Sequence, residues 1–148
     1  IFKTKNKKNI VIDYAHTPDS YLKVLSTLKK LIDEKNKIHV LFGCGGDRDN
    51  SKRNKMGKIA ADFAEKLWIT PDNPRFENID KINLEITKGL DKKKYEIFHD
   101  REVGLMTALS KIKSGDILAV LGKGRERFQD VKGNKIKYSD IEIIEKFL

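Results

Sequence analysis

The sequence is short of cysteine and of long hydrophobic runs, and each shortage excludes a class of protein. Its single cysteine, Cys44, excludes a disulfide framework and a cysteine-rich metal site, and it fits a reducing compartment. No apolar run has the length of a membrane span, and no signal peptide opens the chain. We therefore expect a cytoplasmic protein with no membrane partner.

Acidic side chains are also fewer than basic ones. The chain has 22 Asp and Glu and 31 Lys and Arg, which gives a formal net charge of +9. The basic residues are mostly lysines at predicted chain ends and helix surfaces, such as Lys3, Lys5, Lys7, Lys8, Lys29, Lys30, Lys92, Lys93 and Lys94. Nucleic-acid-binding proteins usually gather arginines or aromatic residues on one face. We favour a solvated lysine-rich surface and expect no nucleic-acid partner. Two alternatives stay open: a basic nucleic-acid-binding module, and a charge that attracts anionic nucleotide substrates.

Length and composition bound the number of domains. The chain has 148 residues, of which 39% are hydrophobic, and this suits one domain with a single core. The first residue is Ile1 and not Met, so we expect residues 1–148 to be one domain of a longer protein.

Short β-rich runs alternate along the chain with helical patterns. The predicted strands are Asn9–Tyr14, Lys37–Gly43, Lys66–Thr70, Tyr95–His99 and Asp116–Leu121. The predicted helices are Thr17–Ile32, Lys52–Glu65, Ile79–Leu90, Glu102–Lys113 and a last helix that Ser139 opens and that ends at Leu148. In the first helix Thr17 is the expected N-cap and Pro18 the first helical residue. Its expected buried stripe is Leu22, Leu25, Leu28 and Leu31 or Ile32.

This alternation predicts an α/β fold, a Rossmann-like doubly wound and mostly parallel sheet. Residues Phe128–Tyr138, with a Gly133-Asn134 turn, predict an antiparallel C-terminal hairpin. In such folds ligands bind at the carboxyl ends of the strands. The loops that leave each strand are therefore the expected place for functional side chains.

The first two of these loops carry charged side chains beside glycines. After the first strand, Asp13 and His16 precede a helix N-terminus, which attracts anions such as phosphate. After the second, Gly43–Asp49 allows close backbone approach to a ligand, and Arg48 and Arg53 offer planar forks for carboxylate or phosphate. The pattern matches neither a Walker P-loop nor a dinucleotide fingerprint. Helix capping and a flexible solvated loop are the purely structural alternatives.

Two further loops complete the set. After the third strand, two prolines stiffen Thr70–Arg75, which presents Asn73 and Arg75 in the chemistry that binds a carboxylate. After the fifth strand, Gly122–Glu126 contains two glycines and a carboxylate, Glu126, that suits a substrate ammonium group. An ordinary turn and a solvated ion pair are the structural alternatives. Because all four loops leave strands at one predicted edge, we expect them to form one site.

The motifs DYAHTPD at residues 13–19, GCGGDRDxxKR at 43–53, DNPR at 72–75 and GKGxE at 122–126 follow one another in this order. From about Val11 to the final helix, they resemble the C-terminal domain of the Mur ligases that add the third amino acid of the peptidoglycan precursor, the MurE-type ligases. DNPR together with GCGGDRD is fairly specific to this branch, and GKGxE is a shorter match.

The resemblance implies an ATP-dependent amide-bond-forming ligase of bacterial cell-wall synthesis, and with it a role in cell shape and division. ATP would phosphorylate the D-glutamate carboxylate of UDP-N-acetylmuramoyl-L-alanyl-D-glutamate, and the amino group of meso-diaminopimelate would attack the acyl phosphate. Magnesium would neutralise the transferred charge. In this family the P-loop, the metal ligands and a carbamylated lysine belong to a central domain, and UDP binding belongs to an N-terminal domain. We therefore expect no catalytic and no metal-ligating residue here, an inactive isolated domain, a monomer, and closure of the domains around the substrates.

The resemblance also implies ligands for individual residues. The residues that would contact ATP are Asp13 and His16. Those that would hold the carboxylates of the amino acid are Arg48, Asn73 and Arg75, and those that would receive its distal ammonium end are Gly122 and Glu126. Asp72 and Arg53 are further candidates. L-Lysine lacks the distal carboxylate and would leave a desolvated Arg75 unpaired, so DNPR indicates diaminopimelate.

The sequence departs from the family near the proposed ammonium pocket. Arg125 stands where the family commonly has histidine, and Arg127-Phe128 replaces an acidic residue and a tyrosine. Two alternatives follow: Glu126 pairs with Arg125, or the third amino acid is meso-lanthionine or L-lysine. A folylpolyglutamate-type ligase is a further alternative, against which DNPR and GCGGDRD argue, and a stand-alone nucleotide-binding module is the last.

Overall fold

The computed structural model describes residues 1–148, and its strands and helices alternate along most of the chain. In chain order the strands are β1 (Phe2–Lys3), β2 (Asn9–Asp13), β3 (Ile38–Phe42), β4 (Lys66–Ile69), β5 (Tyr95–Ile97), β6 (Ile117–Leu121), β7 (Phe128–Val131) and β8 (Asn134–Lys137). The helices are α1 (Pro18–Leu31), α2 (Arg53–Phe63), α3 (Ile79–Thr87), α4 (Arg101–Lys111) and α5 (Asp140–Phe147). Short 3-10 turns at Asn50–Lys52 and Lys92–Lys94 precede α2 and β5.

Six strands form the main sheet in the order β1-β2-β6-β3-β4-β5. Strands β2, β6, β3, β4 and β5 are parallel to one another, whereas β1 pairs antiparallel with β2 through Phe2 and Ile10. Strands β7 and β8 form a separate antiparallel hairpin. The α/β fold class and the C-terminal hairpin are thus confirmed, while β1 was not expected.

Buried residues form one cluster on each face of the main sheet, because successive strand residues point to opposite faces. Along β3, Val40 and Phe42 belong to the cluster under α1, α2 and α3, and Leu41 belongs to the cluster under α4 and α5. The sheet is therefore covered on both sides, as parallel sheets require. None of the helices combines the length and the hydropathy needed to cross a membrane.

Helix α1 shows how local sequence sets the geometry above the sheet. Thr17 is the N-cap, its Oγ1 accepts from the Ser20 N–H at 3.1 Å, and Pro18 is the first helical residue, all as local chemistry requires. The predicted buried stripe was partly wrong. Tyr21, Leu25 and Leu28 are buried, while Leu22 is 47% exposed and Leu31 is 72% exposed. Ile32, the predicted alternative to Leu31, is partly buried against the core. Tyr21 takes the place predicted for Leu22, and its ring packs edge-on against Phe42 with ring centroids 5.4 Å apart.

Candidate functional site

The loops that leave β2, β3, β4 and β6 surround one cavity of about 470 Å³ at the carboxyl edge of the sheet. The residues singled out in the sequence that line it are His16, Arg48, Arg53, Asp72, Asn73, Arg75, Gly122 and Glu126. Asp13 lines an adjoining cavity instead, which shares Tyr14 and Glu126 with the first. The structure therefore brings the predicted loops together, and the ligand of each residue stays a prediction.

At the exit of β2, hydrogen bonds fix both polar side chains. Oδ1 of Asp13 accepts from the Ala15 N–H at 2.8 Å, and Nδ1 of His16 lies 2.9 Å from the carbonyl oxygen of Tyr14. Since a carbonyl can only accept, Nδ1 carries the hydrogen and Nε2 of the exposed His16 ring is free to contact a ligand. The ring thus stands in front of the N-terminus of α1, where anions are favoured.

Arg53 lies at the cavity wall with its guanidinium group committed within the protein. It is 1% exposed, its Nη1 donates to Glu77 at 2.7 Å and to Glu85 at 2.8 Å, and its Nη2 donates to the Gly45 carbonyl at 2.8 Å. These hydrogen bonds, above all those to Glu77, raise the pKa of the Arg53 guanidinium further above its ordinary value. The observed role of Arg53 is to hold the Gly43–Asp49 loop, which leaves other arginines to face a ligand.

Low pH should weaken the ion pair between Arg53 and Glu77. Hydrogen bonds from Arg53 come first among the causes that lower the pKa of Glu77 to about 2. The folded pKa lies below the unfolded value, so the stabilisation is complete above the unfolded pKa and is lost as the pH falls towards 2. Between about pH 5 and pH 2.5 we expect the wild-type chain to lose about 2 kcal/mol more unfolding free energy than Glu77→Gln. Urea unfolding of both proteins at the two pH values measures this, and parallel losses would contradict it.

Arg75 has a guanidinium group that is only partly committed. Its Nη1 donates to the Gly46 carbonyl at 2.9 Å and lies 3.4 Å from the Asn73 carbonyl, and its Nε lies 4.0 Å from the Asp130 carboxylate, while Nη2 has no partner within the protein. Its backbone has a φ of 51°, in the left-handed region. The hairpin holds that backbone, since Arg75 N donates to Asp130 O at 2.9 Å and Lys132 N donates to Arg75 O at 2.8 Å. Arg48, which is exposed and has no ion-pair partner, is the second arginine with free donors at this cavity.

Glycines let the two neighbouring loops meet. A Cβ atom on Gly43 would collide with the carbonyl oxygen of Thr70, and one on Gly46 would collide with that of Pro74. The Gly46 N–H also donates to the Asn73 carbonyl at 2.8 Å. The glycines were expected to permit close approach to a ligand, and at these two positions the close neighbour is the Thr70–Arg75 loop.

The carboxylates of the cavity, Asp72 and Glu126, are held by a lysine that sequence reasoning missed. Nζ of Lys123 is fully buried and lies 3.1 Å from Asp72 Oδ1, 2.9 Å from Asn73 Oδ1 and 3.1 Å from Glu126 Oε2. Nδ2 of Asn73 also donates to Glu126 at 3.2 Å. The available signal was a lysine between two glycines at a strand exit, Gly122 and Gly124, in the middle of the GKGxE motif.

The alternative in which Glu126 pairs with Arg125 is wrong. Glu126 N donates to Lys123 O at 3.0 Å, so the chain turns back and directs the Glu126 carboxylate to Lys123. Arg125 is exposed, and Nη1 of Arg127 lies 3.8 Å from Glu142 on α5. Neither arginine lines the cavity of about 470 Å³, but Arg125 lines the adjoining cavity beside Asp13 and Glu126.

The donor set does not suit a metal ion. No group of three or more His, Cys, Asp or Glu side chains is placed to hold one. The single thiol is unsuited as a ligand as well, because burial raises the pKa of Cys44 to about 12.

Comparison with known proteins decides the family. The family model described as "Mur ligase, glutamate ligase domain" matches residues 1–124. The chain belongs to the Mur ligase family. The Mur ligase relatives include the UDP-N-acetylmuramoyl-L-alanyl-D-glutamate--2,6-diaminopimelate ligase of Rickettsia typhi, 44% identical over 140 residues, which are 95% of this chain and 28% of that protein. The enzyme of the same name from Chlorobium phaeobacteroides is 41% identical over 148 residues, 100% of this chain and 29% of that protein.

Solved structures agree with the Mur ligase assignment. A structure of a UDP-N-acetylmuramoyl-L-alanyl-D-glutamate--2,6-diaminopimelate ligase matches with a TM-score of 0.89 and 34% identity over 97% of this chain and 29% of that chain. A bifunctional folylpolyglutamate synthase/dihydrofolate synthase with Mn, AMPPNP and L-glutamate bound matches with a TM-score of 0.66 and 15% identity, over 99% of this chain and 31% of that chain, which shows a shared fold alone. This Mur ligase domain thus spans less than a third of the length of the curated relatives it matches.

Proposed function

We propose that the chain is the domain that receives the incoming amino acid in an ATP-dependent ligase, and that this ligase adds meso-diaminopimelate to UDP-N-acetylmuramoyl-L-alanyl-D-glutamate in peptidoglycan synthesis. The names of the relatives at 41% and 44% identity support the reaction. The observation that carries the proposal is one cavity lined both by arginines with free donors and by carboxylates. The use of ATP and of a nucleotide-linked substrate fits a cytoplasmic enzyme.

The charged groups of the cavity complement a zwitterion. Arg48 and Arg75 supply free guanidinium donors, and Asp72 and Glu126 supply carboxylates. Meso-diaminopimelate carries two carboxylates and two ammonium groups. Arg75 fits a distal carboxylate because Nη1 is anchored on backbone carbonyls, so the guanidinium plane is fixed before a ligand arrives.

The chain's own residues would bind and orient the amino acid and would carry no covalent step. Arg75 would receive the distal carboxylate and Glu126 the distal ammonium group, which leaves the other amino group to attack the acyl phosphate. Holding the two reactants in this geometry is itself a large part of catalysis. His16 and Asp13, beside the N-terminus of α1, fit the phosphates and ribose of ATP, which supplies the phosphoryl group.

Phosphate release by the whole ligase tests the proposal. With ATP, magnesium and UDP-N-acetylmuramoyl-L-alanyl-D-glutamate present, meso-diaminopimelate, meso-lanthionine and L-lysine are offered in turn. We expect kcat/KM for the two dicarboxylates to exceed that for L-lysine by about a hundredfold, because L-lysine offers no distal carboxylate to the free donors of Arg75. Equal turnover with L-lysine would show that the ligase takes a monocarboxylate, and turnover with none of the three would overturn the proposal.

A further inference from the structure

Lys123 is the most completely satisfied buried cation at the cavity, and neither the ligand contacts nor the reaction proposed above uses it. Its side chain is fully buried, so its ammonium group reaches no solvent and contacts a ligand only through its neighbours. An ammonium group has three N–H donors, and Lys123 has three acceptors, on Asp72, Asn73 and Glu126. All three of these residues line the cavity.

The first consequence is a fixed orientation for the Asn73 side chain. Its Oδ1 accepts from Lys123 Nζ at 2.9 Å and from Asp130 N at 2.9 Å. Both donors would meet an NH₂ group if the amide were flipped, so the oxygen must face Lys123. Nδ2 is thereby directed to Glu126, and its second hydrogen remains for a ligand carboxylate.

The second consequence concerns charge. The carboxylates of Asp72 and Glu126 are 12% and 22% exposed and meet at one ammonium group. Two negative charges and one positive charge leave this three-residue cluster of Asp72, Glu126 and Lys123 with a net charge of −1. Without Lys123 the two carboxylates would repel each other, and one would become easier to protonate.

We propose that Lys123 is a positioning residue for the amino acid: it fixes the Asn73 amide and the Glu126 carboxylate and leaves one negative charge for one ammonium group of the ligand. The proposal rests on the function proposed above. It assigns Lys123 no contact with the substrate. A zwitterion with a single ammonium group at its distal end matches this charge, whereas an end with an additional positive charge does not.

Steady-state kinetics of the whole ligase with Lys123→Met test this role. We expect KM for meso-diaminopimelate to rise at least about tenfold, because two of its contacts lose their orientation, while KM for ATP stays within about twofold. As the pH is lowered, we also expect KM for meso-diaminopimelate to begin to rise at a higher pH in the variant than in the wild type. Lys8→Met is the matched control, since Nζ of Lys8 donates to the Leu109 carbonyl at 2.8 Å, away from the cavity. It should leave both KM values unchanged.

Two further variants keep the test decisive if Lys123→Met folds poorly. Lys123→Met/Asp72→Asn restores the single negative charge, so it should recover part of the lost affinity and the wild-type pH profile. Lys123→Arg keeps the charge but cannot direct three donors to the same acceptors, so it should raise KM without moving the pH profile. A wild-type enzyme inactive with meso-diaminopimelate would overturn the proposed function. If the wild type is active, two results would overturn the role of Lys123. One is a folded Lys123→Met with an unchanged KM and pH profile, and the other is a double variant that recovers no affinity.

Discussion

Replacing Arg101 by methionine is expected to lower the unfolding free energy of the chain by about 3–5 kcal/mol, far more than the loss of an exposed arginine would. Arg101 is 1% exposed, and its Nε and Nη2 donate to the two oxygens of Asp140 at 2.9 and 2.8 Å. Burial alone lowers the pKa of the guanidinium group, but the Asp140 carboxylate raises it above its ordinary value. Likewise burial alone raises the pKa of Asp140, and Arg101 lowers it below its ordinary value. Removing one partner leaves a buried charge without compensation.

The loss of Arg101 should also affect the candidate site, because Arg101 connects the ends of two strands from which the site's loops leave. Its terminal nitrogens also lie 3.2 Å from Thr70 Oγ1 and 3.3 Å from the Leu121 carbonyl, at the ends of β4 and β6. Tyr138 completes the network by donating to Asp140 at 2.7 Å. We therefore expect ligand affinity to fall together with stability in this variant.

Guanidinium chloride unfolding measures the stability effect. The matched control is Arg127→Met, since the Arg127 side chain is 81% exposed at its ion pair with Glu142 and its loss should change stability by less than about 0.5 kcal/mol. A double variant, Arg101→Met/Asp140→Leu, should be more stable than Arg101→Met, because no buried charge is left alone. A loss below about 1 kcal/mol in Arg101→Met would show that water reaches the pair, which contradicts the burial of both side chains.

Replacing Arg75 by alanine is expected to lower kcat/KM for meso-diaminopimelate by about 10²–10³-fold in the whole ligase, on the basis of two lost charge-assisted hydrogen bonds. With L-lysine, which has no distal carboxylate, we expect less than about a threefold change from the same substitution. The variant should therefore lose most of the discrimination between the two amino acids. Phosphate release at saturating ATP and nucleotide substrate measures both values.

The control for this prediction is Arg127→Ala, which removes an exposed arginine that does not line the cavity. It should leave both kcat/KM values unchanged. Equal losses with meso-diaminopimelate and L-lysine in Arg75→Ala would indicate that Arg75 supports the loop rather than the distal carboxylate. No loss with either would place the carboxylate elsewhere, with Arg48 as the remaining free arginine.

Most elements of the fold followed from local chemistry. Thr17 and Pro18 open α1, and a tight turn forms the hairpin, because caps and turns depend on a few neighbouring residues. The turn lies at Lys132-Gly133, one residue before the predicted Gly133-Asn134. Predictions from the sequence were wrong where a contact with another element determines which residue is buried. Leu22 and Tyr21 are adjacent on the helix, and Tyr21 is the buried one, with its ring against Phe42 on β3. Strand β1 has two residues and no pattern of its own.

At the candidate site, too, local features could be predicted from the sequence and long-range contacts could not. Placing the motifs at one edge needed only the rule that parallel strands end at the same side, and that rule held. The partners of each charged group were hidden by sequence separation. Arg53 binds Glu77, which is 24 residues away, and Lys123 binds Asp72, which is 51 residues away. No periodicity links such positions, so the anchoring role of Arg53 and the burial of Lys123 needed the structure.

Under the function proposed above, the left-handed backbone of Arg75 sets thermal stability against amino-acid selectivity at a single position. Glycine or asparagine would occupy a φ of 51° with less strain than arginine, whose side chain adds of order 1 kcal/mol of conformational cost there. A redesign that optimised heat resistance alone would therefore replace Arg75 and would discard the fixed guanidinium plane with it. Engineered variants of this domain that gain melting temperature through position 75 should be screened for amino-acid discrimination before they are called improved.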